Sequence, residues 1–277
     1  MYCSFLKGAK NTESTDSLKY AEKTISEETA EDKNERWRYP RFFGQNDGEK
    51  AFITGDDAKH ISAVLRMKRG EPVILCDNCG NDFLCRIALC QKDMVELKVI
   101  DSRKNEAEPT AEITLFQCLP KSDKMDLIVQ KATELGAARI VPLLSKRCVS
   151  RPDEKSALKK ILRWQKIAEE AAKQSGRGKI PEISPLTDFR SAVKEYGDKG
   201  KGILFYECGG KKISQLITDE TEKIGIFIGS EGGFEPEEAA FAEENGIEVA
   251  TLGKRILRCE TAPLAALSVL MNLTGNL

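Results

Sequence analysis

This chain has a single histidine, no long apolar run and no excess of either charge. Each of these features excludes some classes of function. His60 is the only histidine. No run approaches the roughly 18 consecutive apolar residues of a membrane-spanning helix. Residues 1–20 also lack the apolar core of a secretory signal. We therefore expect a cytoplasmic protein without a membrane span.

Cysteine usage does not indicate a disulfide framework or a metal centre. The nine cysteines are odd in number and scattered, so we expect reduced thiols. Cys76 and Cys79 form a C-x-x-C pair, but a zinc ribbon needs a second close pair. His60 lies inside a predicted helix, where a structural role is the simpler interpretation. The sequence therefore predicts no metal site.

Basic and acidic side chains are almost balanced, with 43 of the former and 44 of the latter. A net charge of −1 does not favour a nucleic-acid-binding protein. Any contact with RNA must therefore come from a local basic surface rather than from the overall charge.

The N-terminal third divides into a polar tail and a β-rich segment. Residues 1–38 hold too little apolar surface to offset chain entropy, so we expect a disordered tail. Residues 39–107 form the first predicted domain. Alternating apolar residues predict antiparallel strands, and Asp56–Met67 has the pattern of a helix. Asn105–Pro109 is the predicted linker.

Residues 108–277 alternate between apolar strand patterns and amphipathic helix patterns. Arg139–Leu144 is a predicted strand, flanked by predicted helices over Lys121–Gly136 and Lys155–Gln174. Strands that alternate with helices predict a parallel sheet covered on both faces. The second domain is therefore predicted to be α/β.

Two glycine-bearing loops near the C-terminus are the strongest functional signal. The strand pattern Ile226–Ile228 leads into the first loop, and Glu235 then precedes a predicted helix. Ile247–Leu252 leads into the second loop, which is followed by the apolar helix Ala262–Leu273. Because such loops meet at the carboxyl ends of neighbouring strands, they predict a ligand-binding crevice.

Both loops carry extended motifs of a known family. Residues 229–234 read GSEGGF and residues 252–262 read LGKRILRCETA. They resemble the RsmE family of SPOUT RNA methyltransferases, as do PRFF at 40–43, residues 119–151 and QSGRGKIPEI at 174–183. The resemblance implies a C-terminal SPOUT domain with a deep trefoil knot, and a small N-terminal PUA-like β-barrel that helps to hold RNA.

The resemblance also implies an activity. Members methylate N3 of a uridine in small-subunit (16S) ribosomal RNA and use S-adenosylmethionine (SAM). This chain departs from the family pattern at Ser230, where proline is usual, and at Glu235, where serine or threonine often caps the helix. We expect a less rigid loop from the first change and little effect from the second.

SAM is implied to bind mainly to backbone groups of three loops. We expect Gly232 to adopt a positive φ or to allow close approach of the cofactor. The residues implied to hold SAM are Leu204, Tyr206, Glu207, Ile228, Gly229, Gly232, Gly233, Leu252, Gly253, Ile256 and Leu257.

Three charged residues of the motif loops are the catalytic candidates. Uracil N3 must lose a proton before it attacks the methyl group, so the site needs a base or a group that stabilises the developing anion. Arg258 is the candidate for stabilising negative charge, while Glu231 or Glu260 orients the base or accepts its proton. In a purely structural alternative, Glu231 caps the glycine turn and Glu260 pairs with an arginine.

Basic residues on predicted loops and strand ends are the candidate RNA contacts. Such cations bind phosphates without reading sequence, although most charged residues are simply solvated. Arg41, Arg69, Arg147, Arg151 and Arg177 are the principal candidates, and Lys68, Lys146, Lys173, Lys179 and Lys254 are further ones.

Two other functions are open for this chain, and one oligomeric state is predicted. A SPOUT ribose 2′-O-methyltransferase would share the knot and the cofactor, and a non-catalytic RNA-binding or ribosome-assembly protein would keep only the fold. The helix Ala262–Leu273 is apolar on nearly every side, which predicts a homodimer with Leu267 and Leu270 on the exposed face. The predicted partners are therefore ribosomal RNA, or the small ribosomal subunit, and a second copy of the chain.

Overall fold

The computed structural model describes residues 37–46, 48 and 50–277. The predicted disordered tail, residues 1–38, lies outside the described residues except at its last two positions. No helix within the described ranges is long and apolar enough to cross a membrane.

The N-terminal part of the described chain is a six-stranded sheet around its own apolar core. Its strands run in the order β1-β4-β5-β6-β3-β2, and all neighbours are antiparallel except β1 and β4. The strands are β1 (Arg41–Phe43), β2 (Gln45–Asn46), β3 (Ala51–Thr54), β4 (Pro72–Cys76), β5 (Asn81–Cys90) and β6 (Met94–Lys104).

A single glycine joins the two edge strands of this sheet. β1 and β2 lie at opposite ends of the strand order, yet only Gly44 separates them in the chain. The edges therefore meet, and the sheet curls into the predicted barrel-like shape. A Cβ at Gly44 would lie 2.5 Å from Leu75 Cδ1 and 2.5 Å from the carbonyl oxygen of Phe52, so only glycine fits this crossing.

The helix predicted over Asp56–Met67 is shorter and less regular than expected. It consists of α1 (Gly55–Lys59) followed by a π-helical turn, His60–Val64. Arg66 has a φ of +53°, a left-handed conformation that a continuing helix excludes.

The C-terminal part is an eight-stranded sheet in which every pairing is parallel, as predicted. The strand order is β10-β8-β7-β13-β11-β14-β12, with β9 beside β8. The strands are β7 (Glu112–Cys118), β8 (Arg139–Leu144), β9 (Glu182–Ile183), β10 (Thr187–Asp188), β11 (Lys201–Phe205), β12 (Lys211–Lys212), β13 (Lys223–Ile228) and β14 (Ile247–Thr251).

Five α-helices and a short 3₁₀ turn, Ile213–Gln215, connect these strands. They are α2 (Lys124–Glu134), α3 (Glu154–Ser175), α4 (Phe189–Tyr196), α5 (Pro236–Glu244) and α6 (Thr261–Leu273). α2 begins three residues later than predicted, because Ser122 takes a φ of +58° just before it. The trefoil knot implied by the resemblance stays a prediction.

The predicted linker is a packed junction between the two sheets rather than a free connection. Asn105 Nδ2 donates to both carboxylate oxygens of the buried Asp82 and to the carbonyl of Gly176. Arg41 donates from Nη2 to Asp82 Oδ1 at 2.7 Å. Arg41 therefore stabilises the N-terminal sheet, and its assignment as an RNA contact stays a prediction.

Arg177 is the centre of the same junction. Its side chain is 3% exposed and donates from Nη2 to Glu108 Oε2 at 3.0 Å. Its Nη1 donates to the carbonyls of Thr133 and Ala137, at 3.2 and 2.6 Å. The predicted role in RNA binding is wrong for Arg177, because its guanidinium is buried and satisfied within the protein.

Candidate active site

A cavity of about 520 Å³ opens where the loops after β11, β13 and β14 converge. These strands are neighbours and parallel, so their carboxyl ends lie at one edge of the sheet. The volume is typical of a site for a small molecule. The crevice predicted from the two glycine-bearing loops is therefore present, and the loop after β11 forms its third wall.

The residues implied to hold SAM nearly all line this cavity. Ten of the eleven do so, including Tyr206 and Glu207 from the third loop. Leu204 is the exception, because it is fully buried in β11, and Phe205 lines the cavity instead. Leu204 was implied by the family resemblance alone, and its role in holding SAM stays a prediction.

The first motif loop turns at Gly233 rather than at Gly232. Gly233 has a φ of +67°, and its N–H donates to the carbonyl of Ser230 at 3.0 Å. A Cβ there would lie 2.3 Å from Glu207 Oε1. The positive φ expected at Gly232 is wrong, although a Cβ at Gly232 would come within 3.0 Å of Arg147 Cβ, so that position is also crowded.

Lys124 holds the two motif carboxylates together, and sequence reasoning missed it. Its Nζ lies 3.0 Å from Glu231 Oε1 and 3.2 Å from Glu260 Oε2. The N–H of Lys121 also donates to Glu231 Oε1 at 3.1 Å. One signal was available: a lysine opens α2, where the helix dipole disfavours positive charge, so acidic partners were to be expected.

These contacts keep both carboxylates ionised. Partial burial acts to raise the pKa of Glu231, but hydrogen bonds from its own backbone N–H, Lys124 and Lys121 outweigh it and lower the pKa. The Cys259 thiol donates to Glu260 and, with Lys124, lowers the pKa of that carboxyl as well. Neither group is a strong base at neutral pH, because effective proton acceptors have a pKa near the working pH.

Arg258 remains available for chemistry. It is exposed, lines the cavity beside Glu231, and forms no ion pair with any residue whose structure is described. The structural alternative expected Glu260 to pair with an arginine. The cation that Glu260 contacts is instead Lys124. Glu231 does meet backbone N–H groups, as that alternative expected: its own, within the glycine turn, and that of Lys121 outside it.

The loop after β8 supports the glycine turn from outside. Arg147 Nη1 donates to the carbonyl of Gly232 at 2.8 Å, and its Nε donates to Glu235 Oε1 at 2.9 Å. Glu235 and Glu238 form a reciprocal capping box at the start of α5, so a glutamate serves this cap as expected. Arg147 is therefore a structural support of the cavity wall.

The other basic candidates fall into two groups. Lys146 pairs with Glu237, Lys173 with Asp57, and Arg151 donates to the carbonyl of Ser145. The members of the second group are exposed and have no ion-pair partner among the described residues. They are Lys68, Arg69, Lys179 and Lys254.

Comparison with known proteins agrees with this geometry. Residues 106–271 match the RNA methyltransferase domain family, and residues 53–100 match the RNA methyltransferase PUA domain. Ribosomal RNA small subunit methyltransferase E of Bacillus subtilis is 36% identical over 79% of this chain and 88% of its own length. The protein of the same name from Aquifex aeolicus is 31% identical over 81% of this chain and 95% of its own length.

A solved structure has the same fold. Ribosomal RNA small subunit methyltransferase E from Neisseria gonorrhoeae, bound to S-adenosyl methionine, is 32% identical and aligns with a TM-score of 0.77. The alignment covers 85% of this chain and 98% of that one. With its matching domains, these relatives and a cavity built from the family's two motifs, the chain belongs to the ribosomal RNA small subunit methyltransferase E family.

Proposed function

We propose that this protein transfers a methyl group from SAM to N3 of a uridine in small-subunit ribosomal RNA. The observation that carries the proposal is that Arg258 and Glu231 both line a cofactor-sized cavity, with Lys124 Nζ 3.0 Å from Glu231 Oε1. The cavity supplies a place for SAM, and the charged groups supply contacts for a base whose N3 becomes anionic.

The residues around the cavity fit SAM. SAM carries positive charge on its sulfonium and amino groups, and the lining includes the carboxylates of Glu207 and Glu231. Backbone groups of three loops surround the cavity, and the turn at Gly233 lets the chain approach closely. When bound, SAM supplies an electrophilic methyl group.

The protein's own groups then act on uracil. Arg258 is placed to stabilise the negative charge that develops on the uracil oxygens as N3 loses its proton. Glu231 and Glu260, held by Lys124, accept hydrogen bonds that orient the base. Holding N3 in line with the methyl carbon contributes much of the rate. Because both carboxylates have lowered pKa values, each is a weak base at neutral pH, and the N3 proton is finally released to the solvent buffer.

The direct test is the chemical identity of the product. The protein is incubated with isotopically methyl-labelled SAM and either an in vitro transcript of small-subunit rRNA or subunits assembled from it. We expect mass spectrometry of the digested nucleosides to find the label in N3-methyluridine. Label in 2′-O-methyluridine would favour the ribose methyltransferase instead, and failure to bind SAM in calorimetry would favour a non-catalytic protein.

We also propose that the protein works as a homodimer formed through α6. The prediction that Leu267 and Leu270 lie on the exposed face is wrong, because both side chains are fully buried within one chain. A more accessible stripe is formed instead by Ala262, Ala265, Val269 and Leu273, of which Val269 is 41% exposed and the other three are half-buried. These residues recur at helical spacing on one side, which suits a self-complementary contact across a two-fold axis.

Val269→Glu is expected to convert the dimer into a monomer that keeps its melting temperature but loses most methyl transfer. A charge on this stripe is tolerated in water but not in an apolar interface. Sedimentation velocity at micromolar concentration measures the oligomeric state. Val64→Glu, at a 69% exposed site that ends the π-helical turn His60–Val64, is the matched control and should remain dimeric. A wild-type protein that sediments as a fully active monomer would refute the proposal.

A further inference from the structure

Half of the ten basic residues that the sequence nominated for RNA contact are neutralised within the fold. Each of five has an acidic partner within ion-pair distance, so it has little capacity left for a phosphate. The pairs are Arg41 with Asp82, Lys146 with Glu237, Arg147 with Glu235, Lys173 with Asp57 and Arg177 with Glu108. Phosphate binding beside the cavity must therefore use cations other than these five.

The first four turns of α3 carry basic residues that the sequence analysis did not single out. Residues 155–166 hold five basic side chains and no acidic one, in a chain of net charge −1. Lys155, Lys159 and Lys166 are exposed and make no ion pair or hydrogen bond with any other side chain in the described part of the chain. At 1.5 Å per residue, they span about 16 Å of helix.

Two exposed leucines complete this face. Leu158 and Leu162 are 57% and 59% exposed, and they lie one helical turn apart between the lysines. A surface that alternates cations with apolar side chains suits single-stranded or looped RNA, where phosphates and unstacked bases or sugars are both presented.

The topology places the start of α3 beside the candidate active site. β8 is parallel to β7, which is parallel to β13, so the loop after β8 lies at the edge that carries the motif loops. This loop contacts the glycine turn through Arg147 and Gly232, and α3 begins directly after it. Farther along, Arg163 pairs with Asp126 of α2, two residues beyond the Lys124 that holds the motif carboxylates.

We infer that the α3 face formed by Lys155, Lys159 and Lys166 binds phosphates of the ribosomal RNA next to the uridine in the active site. The inference rests on the proposed function and adds the surface that positions its substrate. Lysines on a helix contact phosphates as point charges, so this face fixes the register of the RNA without reading its bases. RNA is favoured over an acidic protein because the face adjoins a site whose substrate is RNA.

The test compares two triple variants of equal charge change. Lys155→Gln, Lys159→Gln and Lys166→Gln are combined in the first. The control combines Lys194→Gln, Lys199→Gln and Lys223→Gln, which are exposed near the opposite edge of the sheet, where β11 and β13 begin. Glutamine keeps helix propensity while it removes the charge.

The probe is an in vitro transcript of small-subunit rRNA, bound at several salt concentrations. Each lost phosphate contact lowers the slope of log affinity against log salt by about 0.7 to 0.9. We therefore expect the α3 variant to lose about 2 to 3 from the slope and roughly tenfold or more in affinity at low salt. Its SAM affinity and melting temperature should match the wild type, and the control should change the slope by less than about 1.

An α3 variant with the slope and affinity of an active wild type would overturn the inference. Loss of methylation on assembled subunits alone, with unchanged binding to the transcript, would also overturn it and would indicate a protein partner. If the wild type methylates neither substrate but its binding still depends on α3, the proposed function fails and the RNA-binding surface stands.

Discussion

Arg177→Met is expected to destabilise the protein by about 3–5 kcal/mol, because it breaks a buried ion pair and leaves one partner behind. The Glu108 carboxylate would keep only the N–H groups of Gly178 and Lys179. The carbonyls of Thr133 and Ala137 would lose the guanidinium that donates a hydrogen bond to each of them. For a chain of this size, the midpoint of thermal unfolding should fall by roughly 6–20 °C.

Arg151→Met is the matched control for that experiment. Arg151 is also a loop arginine that donates to backbone carbonyls, but it is exposed and has no acidic partner among the described residues. Its replacement should cost less than about 1 kcal/mol. If Arg177→Met has the melting temperature of the wild type but binds RNA more weakly, Arg177 binds phosphate after all, contrary to what the structure indicates.

Gly233→Val is expected to weaken SAM binding by roughly a hundredfold, since a valine at positive φ costs about 1–3 kcal/mol. At a φ of +67°, the new Cβ would also lie 2.3 Å from Glu207 Oε1. The Glu207 carboxylate ends a flexible side chain and can move aside, but the strained φ remains, so the turn must shift. That movement displaces the cavity wall at Gly229 and Ser230, and calorimetry with SAM measures the loss.

A glycine outside the cavity lining provides the control, because a valine there introduces backbone strain without touching the cofactor site. Gly70 has a φ of +91°, and no heavy atom lies within 4 Å of where its Cβ would be. Gly70→Val should therefore cost similar stability while it keeps full SAM affinity. A folded Gly233→Val protein with unchanged affinity would contradict the placement of the cofactor among the three loops.

The sequence predicted the parallel sheet well because its signals are local. β8 has the bounds predicted for it, and α3 differs from its prediction by one residue at each end. Apolar periodicity and flanking turn residues are properties of neighbouring positions, so they can be read without knowing the fold. The motif loops are equally local, and ten of the eleven residues implied to hold SAM line one cavity.

The charged residues were predicted less well, because a charge takes its role from partners far away in the chain. Arg177 is separated by 69 positions from Glu108, and Lys124 by 107 from Glu231 and 136 from Glu260. An arginine in a family-like loop and a lysine in a predicted helix have the same local pattern whether they are buried or exposed. Only the packed structure distinguishes the junction at Arg177 from the free cations of α3.

By itself, the sequence determined the alternation of strands and helices in residues 108–277, the two motif loops and the family resemblance, since each depends on residue types at short spacing. The tertiary structure decided which glycine takes the positive φ, which leucines of α6 are buried, and which cations remain free for RNA. The physical reason is that burial and electrostatic pairing are properties of surfaces that meet only after the chain has folded.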